Sequence, residues 1–356
     1  MRIALALLAA LLPATAVRTE APLHITAIDV EGGAAVLYVT PQGHSLLIDT
    51  GWEAGQGNPP AAPGVAPPPT SAQKIVAAAK AAHLSKIDYV LVTHYHADHV
   101  GGVAELAASF PIGTFLDHGV NRELPKDGGA AQPQSPAYFY PKYLAAIGSH
   151  PRRSLTPGTQ IRIDDLVLTA IDGDGAVPPQ PLPGGGAPGV GCATAQNEAN
   201  DGGIENPKSL GVLLSYGKAR ILALGDTTWQ VENKLVCPVN LIGPVDLMVA
   251  DNHGSGNSSS QPFLDTLSPR MILFINGATK GADGETFDRV AQMPHKPVVW
   301  QLHVATRSPD KNAPDANIVN PTSMPDAHLP LEIAVEKTGA ITVRNPRTGA
   351  AQRYAG

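Results

Sequence analysis

Val90-Leu91-Val92-Thr93-His94-Tyr95-His96-Ala97-Asp98-His99-Val100-Gly101-Gly102 decides the fold. The apolar run 87–92 reads as a buried strand, and a helical pattern follows over 100–110. Between them stand three His and one Asp. In an extended segment residues i and i+2 point to the same side. His94 and His96 can therefore grip one cation together. Asp98 and His99 lie where the chain turns into the helix, so they face elsewhere and suit a second cation. Gly101 and Gly102 remove side-chain bulk and let backbones pack closely beside them. A lone His at a strand end is a polar surface residue, and a lone Asp is a helix cap. Neither reading explains four such residues at this spacing.

A chain of 356 residues buries a sizeable core as one large domain or two small ones. The expected organisation is a signal peptide over 1–16 and a single domain over 17–356. Pro/Gly-rich loop insertions interrupt that domain at 55–69, 172–208 and 309–330. Arg2 supplies a positive start, 3–12 is an apolar stretch, and Ala14-Thr15-Ala16 fits a small-residue cleavage site. That stretch is too short to span a bilayer, and no other run is long enough. Export to a periplasmic or extracellular compartment is the expectation. Net charge is −6 with no Lys/Arg run, so no basic footprint for duplex nucleic acid is visible. A small-molecule or short anionic substrate held through metal is compatible with that charge. Cys192 and Cys237 lie in no CxxC pattern; in an oxidising compartment they either pair across a long loop or stay as two thiols.

The rest of the chain keeps returning candidate ligands to strand ends. Segments 24–29, 35–40 and 45–48 read as a three-strand meander, and the last ends in Asp49. A helix over 72–82 is capped by Thr70-Ser71. The strand 112–116 ends in Asp117-His118, followed by a helix over 138–147. A hairpin spans 160–163 and 166–171. Strands 210–215 and 220–224 then pair, and strands and helices alternate to 302. A hairpin of 331–335 with 340–343 closes the chain. Asp226, His253, Asn276 and His303 each follow an apolar run of this second half. In layered α/β folds ligands bind at the carboxyl ends of strands, where such endings converge.

The HxHxDH stretch (His94, His96, Asp98, His99) resembles the signature of the metallo-β-lactamase superfamily. The resemblance implies a four-layer αββα sandwich with a one- or two-metal hydrolytic site on its edge. Asp29-Val30-Glu31-Gly32-Gly33 followed by Leu46-Leu47-Ile48-Asp49-Thr50-Gly51 resembles one branch, the hydrolase domain of competence-type DNA-uptake proteins and their secreted relatives. Leu222-Ala223-Leu224-Gly225-Asp226 resembles the segment whose Asp bridges two metals. Val249-Ala250-Asp251-Asn252-His253-Gly254 resembles the one that supplies the last His; Asn252 stands where relatives often carry another His. The family's counterpart of Asp49 orients the signature loop without touching metal.

The implied metal ligands are His94, His96, Asp98, His99, Asp226 and His253, with Asp98 and Asp226 central to catalysis. Many relatives place a third His for the first metal between the signature and the bridging Asp. None lies in that segment here, and His118 is the available substitute. Asn252 and His303 are expected beside the substrate or behind the ligands. Imidazole and carboxylate donors suit Zn²⁺, two per chain, and also Mn²⁺ or Fe²⁺. The chemistry implied is hydrolysis by metal-activated water; there is no GxSxG nucleophile. A phosphodiester or related ester is the leading substrate class. A β-lactam or lactone ring hydrolase and a non-catalytic metal-containing binding protein are the alternatives. Gly254–Ser260 reads either as a substrate-contacting loop or as a plain one.

Overall fold

The computed structural model describes residues 21–57, 64, 66–125, 128–197, 203–321 and 327–356. The expected signal segment 1–16 lies outside the described residues, as do parts of the three Pro/Gly-rich insertions.

Two sheets stack face to face. The first half of the chain forms β1 (Leu23–Ala27), β2 (Val36–Val39), β3 (Ser45–Ile48), α1 (Ser71–Ala81), β4 (Ile87–Leu91), α2 (Ala97–Val100), α3 (Val103–Ser109), β5 (Ile112–Asp117), α4 (Pro136–Ile147) and β6 (Arg152–Ser154). A hairpin follows, β7 (Gln160–Ile163) with β8 (Leu166–Ala170). The second half forms β9 (Val212–Tyr216), β10 (Ala219–Ala223), α5 (Trp229–Val236), β11 (Leu247–Val249), α6 (Gln261–Leu267), β12 (Met271–Phe274), α7 (Gly284–Gln292), β13 (Val298–His303) and β14 (Ile318–Asn320). β15 (Leu331–Val335), β16 (Ile341–Arg344) and β17 (Ala351–Tyr354) return to the first sheet. Its order is β17-β16-β15-β1-β2-β3-β4-β5-β6, and that of the second sheet is β14-β13-β12-β11-β10-β9-β8-β7.

Alternation along the strands builds the layers. In β2, Val36 and Tyr38 point into the core between the sheets, while Leu37 and Val39 point outward to a second core. That outer core is closed by Ile75 of α1, Leu106 of α3 and Phe139 and Tyr143 of α4. On the far side Leu222 of β10 faces Val231 and Leu235 of α5 and Phe263 of α6. The arrangement is the expected αββα sandwich.

Several local expectations hold for the stated reasons. Thr70 caps α1 with a reciprocal capping box: its side chain accepts from the Gln73 N–H while the Gln73 side chain accepts from the Thr70 N–H. β1, β2 and β3 form the antiparallel meander. Cys192 and Cys237 form a disulfide, with Cα atoms 5.6 Å apart.

Three expectations are corrected. The helix after the signature is not one run over 100–110: α2 begins at Ala97, and the chain re-enters helix at Val103. Gly102 sits at the break because a Cβ there would lie 2.2 Å from the Thr50 carbonyl oxygen. The chain does not end in a two-strand hairpin, since β17 adds a further antiparallel strand on β16. The insertion 309–330 also contributes a short edge strand, β14, parallel to β13.

Candidate metal centre

The carboxyl ends of β3, β4, β10 and β11 meet at one rim. β3 and β4 are parallel neighbours in the first sheet, and β10 and β11 in the second. The loops after β4, β10 and β11 carry candidate ligands and the one after β3 carries Asp49, so the sandwich brings four loops of distant sequence together.

His94 and His96 face each other as their i, i+2 spacing requires, with His94 Nε2 2.9 Å from His96 Nδ1. Asp98 and His99 lie in the first turn of α2 and face a different set of atoms. His99 Nε2 lies 3.0 Å from Asp226 Oδ1 and 3.1 Å from His253 Nε2. His253 Nε2 lies 3.1 Å from Asp98 Oδ2 and 3.4 Å from Asp226 Oδ1. Asp98, His99, Asp226 and His253 thus form one four-ligand group, each offering an atom within 4.8 Å of the others. The other carboxylate oxygen of Asp226 lies 3.9 Å from His94 Nε2, so Asp226 stands between the two sets.

The local backbone explains how these groups arrive. Gly225 adopts a left-handed conformation (φ 64°) ahead of Asp226, and a Cβ there would sit 2.7 Å from the Thr93 side chain. Asn252 and His253 are also left-handed (φ 47° and 55°), and His253 Nδ1 lies 3.3 Å from the Ile275 carbonyl oxygen. The turn is braced from beneath. Ser258 Oγ donates to the Asp251 carbonyl, Ser259 Oγ donates to the Asp251 carboxylate, and the Ser259 and Ser260 N–H groups donate to Glu232. The serines of Gly254–Ser260 are therefore engaged in holding the turn.

Asp49 lies behind the ligands. Its carboxylate accepts from the Thr93 N–H and hydroxyl and lies 2.7 Å from His99 Nδ1. Asn252 donates to Asn257 Oδ1 at 2.9 Å. His303 is placed elsewhere, with Nε2 2.8 Å from Asp29 Oδ1. His118, the expected substitute ligand, has its Nδ1 buried without a hydrogen-bond partner. Its Nε2 lies 2.8 Å from Glu205 Oε1, and both side chains are buried. Among the described residues, no third imidazole, thiolate or carboxylate closes a three-ligand group on His94 and His96.

Two residues of this rim carried no sequence signal. Lys280, from the loop between β12 and α7, places its ammonium against Asp98 Oδ2 and 3.1 Å from His253 Nε2. It also lies 5.2 Å from the Trp52 ring. Glu205, from the irregular segment before β9, accepts from the Arg122 N–H as well as engaging His118.

The titration behaviour suits a cation-binding centre. Burial and the neighbouring imidazoles push the His94 pKa well below its ordinary value. Burial also lowers His96 and His253, against the pull of Asp226. Burial alone would lower His99, but Asp226 and Asp49 outweigh it and raise the pKa to about 10. Burial alone would raise Asp226, but His99 and His253 outweigh it and lower the pKa to about 2. The centre thus offers neutral imidazoles at His94, His96 and His253 and an ionised Asp226, while His99 must give up a proton to bind a metal. Asp226 Oδ1 is buried with His99 Nε2 at 3.0 Å and His253 Nε2 at 3.4 Å, two imidazole nitrogens turned on one carboxylate oxygen as ligands of a shared cation would be. The residues fit a divalent metal.

Comparison with known proteins agrees on the family. A sequence profile described as the metallo-beta-lactamase superfamily matches residues 28–258. No curated protein matches the sequence. Among solved structures the chain is similar to the metallo-beta-lactamase fold protein YhfI from Bacillus subtilis, at 12% identity and TM-score 0.45, covering 78% of this chain and 96% of that one. It is also similar to MEM-A1, a subclass B3 metallo-beta-lactamase from a soil metagenome library, at 16% identity and TM-score 0.34, covering 79% and 77%. A third is CmlA, a diiron beta-hydroxylase from Streptomyces venezuelae, at 15% identity and TM-score 0.40; the match covers 75% of this chain and 46% of that one. At these identities none of those activities carries over.

Proposed function

This chain belongs to the metallo-beta-lactamase superfamily, and from that premise we propose that it is an exported, metal-dependent hydrolase of a phosphodiester or related ester bond. The observation that carries the reading is the convergence of Asp98, His99, Asp226 and His253 on one small volume, with the imidazoles of His99 and His253 both turned on Asp226 Oδ1. A structural metal site is normally closed by four ligands and needs no further donors. Here His94 and His96 stand beside the complete group, on the other side of Asp226. That surplus favours an open, reactive centre over a structural one.

The four-ligand group is the tighter site, and the His94–His96 pair is the weaker one, because it lacks a third partner. When bound, a divalent cation supplies Lewis acidity that brings the pKa of water from near 16 to about 7. The chain's own residues do the rest. Asp49 fixes the ring of His99 so that Nε2 points into the centre. Buried His94, His99 and His253 exclude bulk water from the inner side. Access is from the side of His96, Glu123 and Lys280, whose side chains are 22%, 30% and 34% exposed. Burial lowers the Lys280 pKa to about 7, so on that rim it gives an anionic substrate a positive contact only in its protonated fraction.

Zn²⁺ is the cation proposed, with Mn²⁺ or Fe²⁺ equally suited to nitrogen and oxygen donors. Export is part of the same reading. It rests on the charged and apolar pattern of 1–16, and the Cys192–Cys237 bridge suits an oxidising compartment.

The test is a panel of nitrophenyl phosphodiester, lactone and β-lactam substrates, assayed before and after metal removal by a chelator. Metal-dependent turnover of the phosphodiester supports the proposal. Turnover of a ring substrate alone moves the chain to a lactonase or lactamase. Metal binding without any turnover makes it a binding protein.

A further inference from the structure

A small cavity of about 20 Å³ lies between the two sheets, behind the metal centre. Tyr38 and Ile48 of the first sheet and Val249 of the second line it, and Asp49, His99 and Asp226 line it on the side of the rim. Among the described residues, Asp98, His94 and His96 are not on its wall. The cavity therefore lies on the inner side of the ligands, away from the entry at His96, Glu123 and Lys280.

One polar group on this wall has nothing to bond. Tyr38 is fully buried, and its hydroxyl has no hydrogen-bond partner among the described residues. Strand alternation puts it there: Tyr38 sits on the inward face of β2, opposite Leu46 of β3 and so three residues short of the level of Asp49. Burial pushes the phenol pKa up, so the group is a neutral O–H, able to donate once and to accept. A buried hydroxyl left unpaired is costly, and buried tyrosines normally find a partner. Asp49 has capacity to share. Its Oδ1 accepts from the Thr93 N–H at 2.8 Å, and a carboxylate oxygen can take a second donor.

A cavity with purely apolar walls stays dry, whereas one of at least about 10–15 Å³ with two to four polar groups holds a water. This cavity meets both the size and the polarity conditions. We propose that it is a binding site for one water molecule, held between the Tyr38 hydroxyl and the Asp49 carboxylate. That water satisfies the phenol and gives Asp49 a further donor. Asp49 in turn holds His99 through Nδ1 at 2.7 Å, so the support of His99 extends through the water into the core between the sheets. The site is independent of the hydrolase reading, because it needs neither substrate nor turnover.

The experiment compares high-resolution crystal structures of the wild type and of Tyr38→Phe, which keeps the ring and removes only the hydroxyl. The wild type is expected to show an ordered water within hydrogen-bond distance of both Tyr38 Oη and Asp49, and the variant to lack it. A dry wild-type cavity, or a Tyr38 hydroxyl bonded directly to a protein atom, overturns the proposal. Urea unfolding of the two proteins decides the matter where crystals do not form. If the hydroxyl holds a water, its removal loses a hydrogen bond and lowers the urea midpoint by about 0.3 M. If the cavity is dry, the substitution removes an unpaired buried group, and an equal or higher midpoint for Tyr38→Phe overturns the proposal.

Discussion

Asp49 and His99 are bound to each other from behind the candidate metal centre: the Asp49 carboxylate lies 2.7 Å from His99 Nδ1, so His99 Nε2 faces Asp226 and His253. The same carboxylate receives the Thr93 N–H at 2.8 Å, so one residue positions both the strand end and the imidazole. Outer partners of this kind typically contribute 10–100-fold to metal affinity. Asp49→Asn keeps the shape and removes the charge. It is expected to weaken Zn²⁺ binding by about tenfold, read by competition with a chromophoric chelator. Unchanged affinity would show that the contact is only structural.

His99 also sets a proton balance. With a pKa raised to about 10 by Asp226 and Asp49, it carries a proton at neutral pH before metal binds. Coordination through Nε2 must displace that proton. About one proton is therefore expected to be released per metal at neutral pH. The apparent affinity rises as pH rises toward 10 and falls toward acid. Calorimetry in two buffers of different ionisation enthalpy measures the release, and none at all would contradict the assignment of His99.

Lys280 and a metal ion compete for the same atoms. The ammonium rests on Asp98 Oδ2 and near His253 Nε2, both members of the four-ligand group. Burial lowers the Lys280 pKa to about 7, and its protonated form about 4 Å from a metal is repelled by about 1 kcal/mol in water and by more in a partly buried site. Lys280→Met is therefore expected to tighten metal binding by roughly tenfold, in the same chelator assay. Weaker binding in that variant would mean that Lys280 helps to assemble the group.

The signature and the strand endings made most of this centre legible, because a strand with i, i+2 ligands followed by a helix has few other uses. Asp49 is readable because it follows an apolar run directly, while Asp226 and His253, set off from their runs by Gly225 and by Asp251-Asn252, are readable through the resemblance of their segments. Lys280 and Glu205 were not, since each reaches the rim from a loop with no periodicity, and tertiary contact alone gives it a role. His118 also sits at a strand end, and its Nε2 meets Glu205, which no sequence pattern announces. The final strand β17 escaped notice because its Ala-Gln-Arg-Tyr sequence is largely solvent-facing and carries no hydrophobic alternation. Gly101 and Gly102 were rightly read as packing residues, but the packing forces a break between two short helices.

The disulfide joins the irregular segment before β9 to the residue that ends α5, across a sequence separation of 45. A link of that span is worth about 2–4 kcal/mol by restricting the unfolded chain. Cys192→Ser is expected to lower the urea midpoint accordingly, and reductant is expected to lower the wild type to the same value. Identical midpoints for wild type and variant under oxidising conditions would remove the bridge from the stability account.

The central claim is that Asp226 joins ligands from both sheets into a metal centre. Metal content of wild type and Asp226→Ala, purified alike and loaded with Zn²⁺, tests it most directly. Wild type is expected to hold at least one equivalent more than the folded variant. Equal metal content in the two would contradict the account.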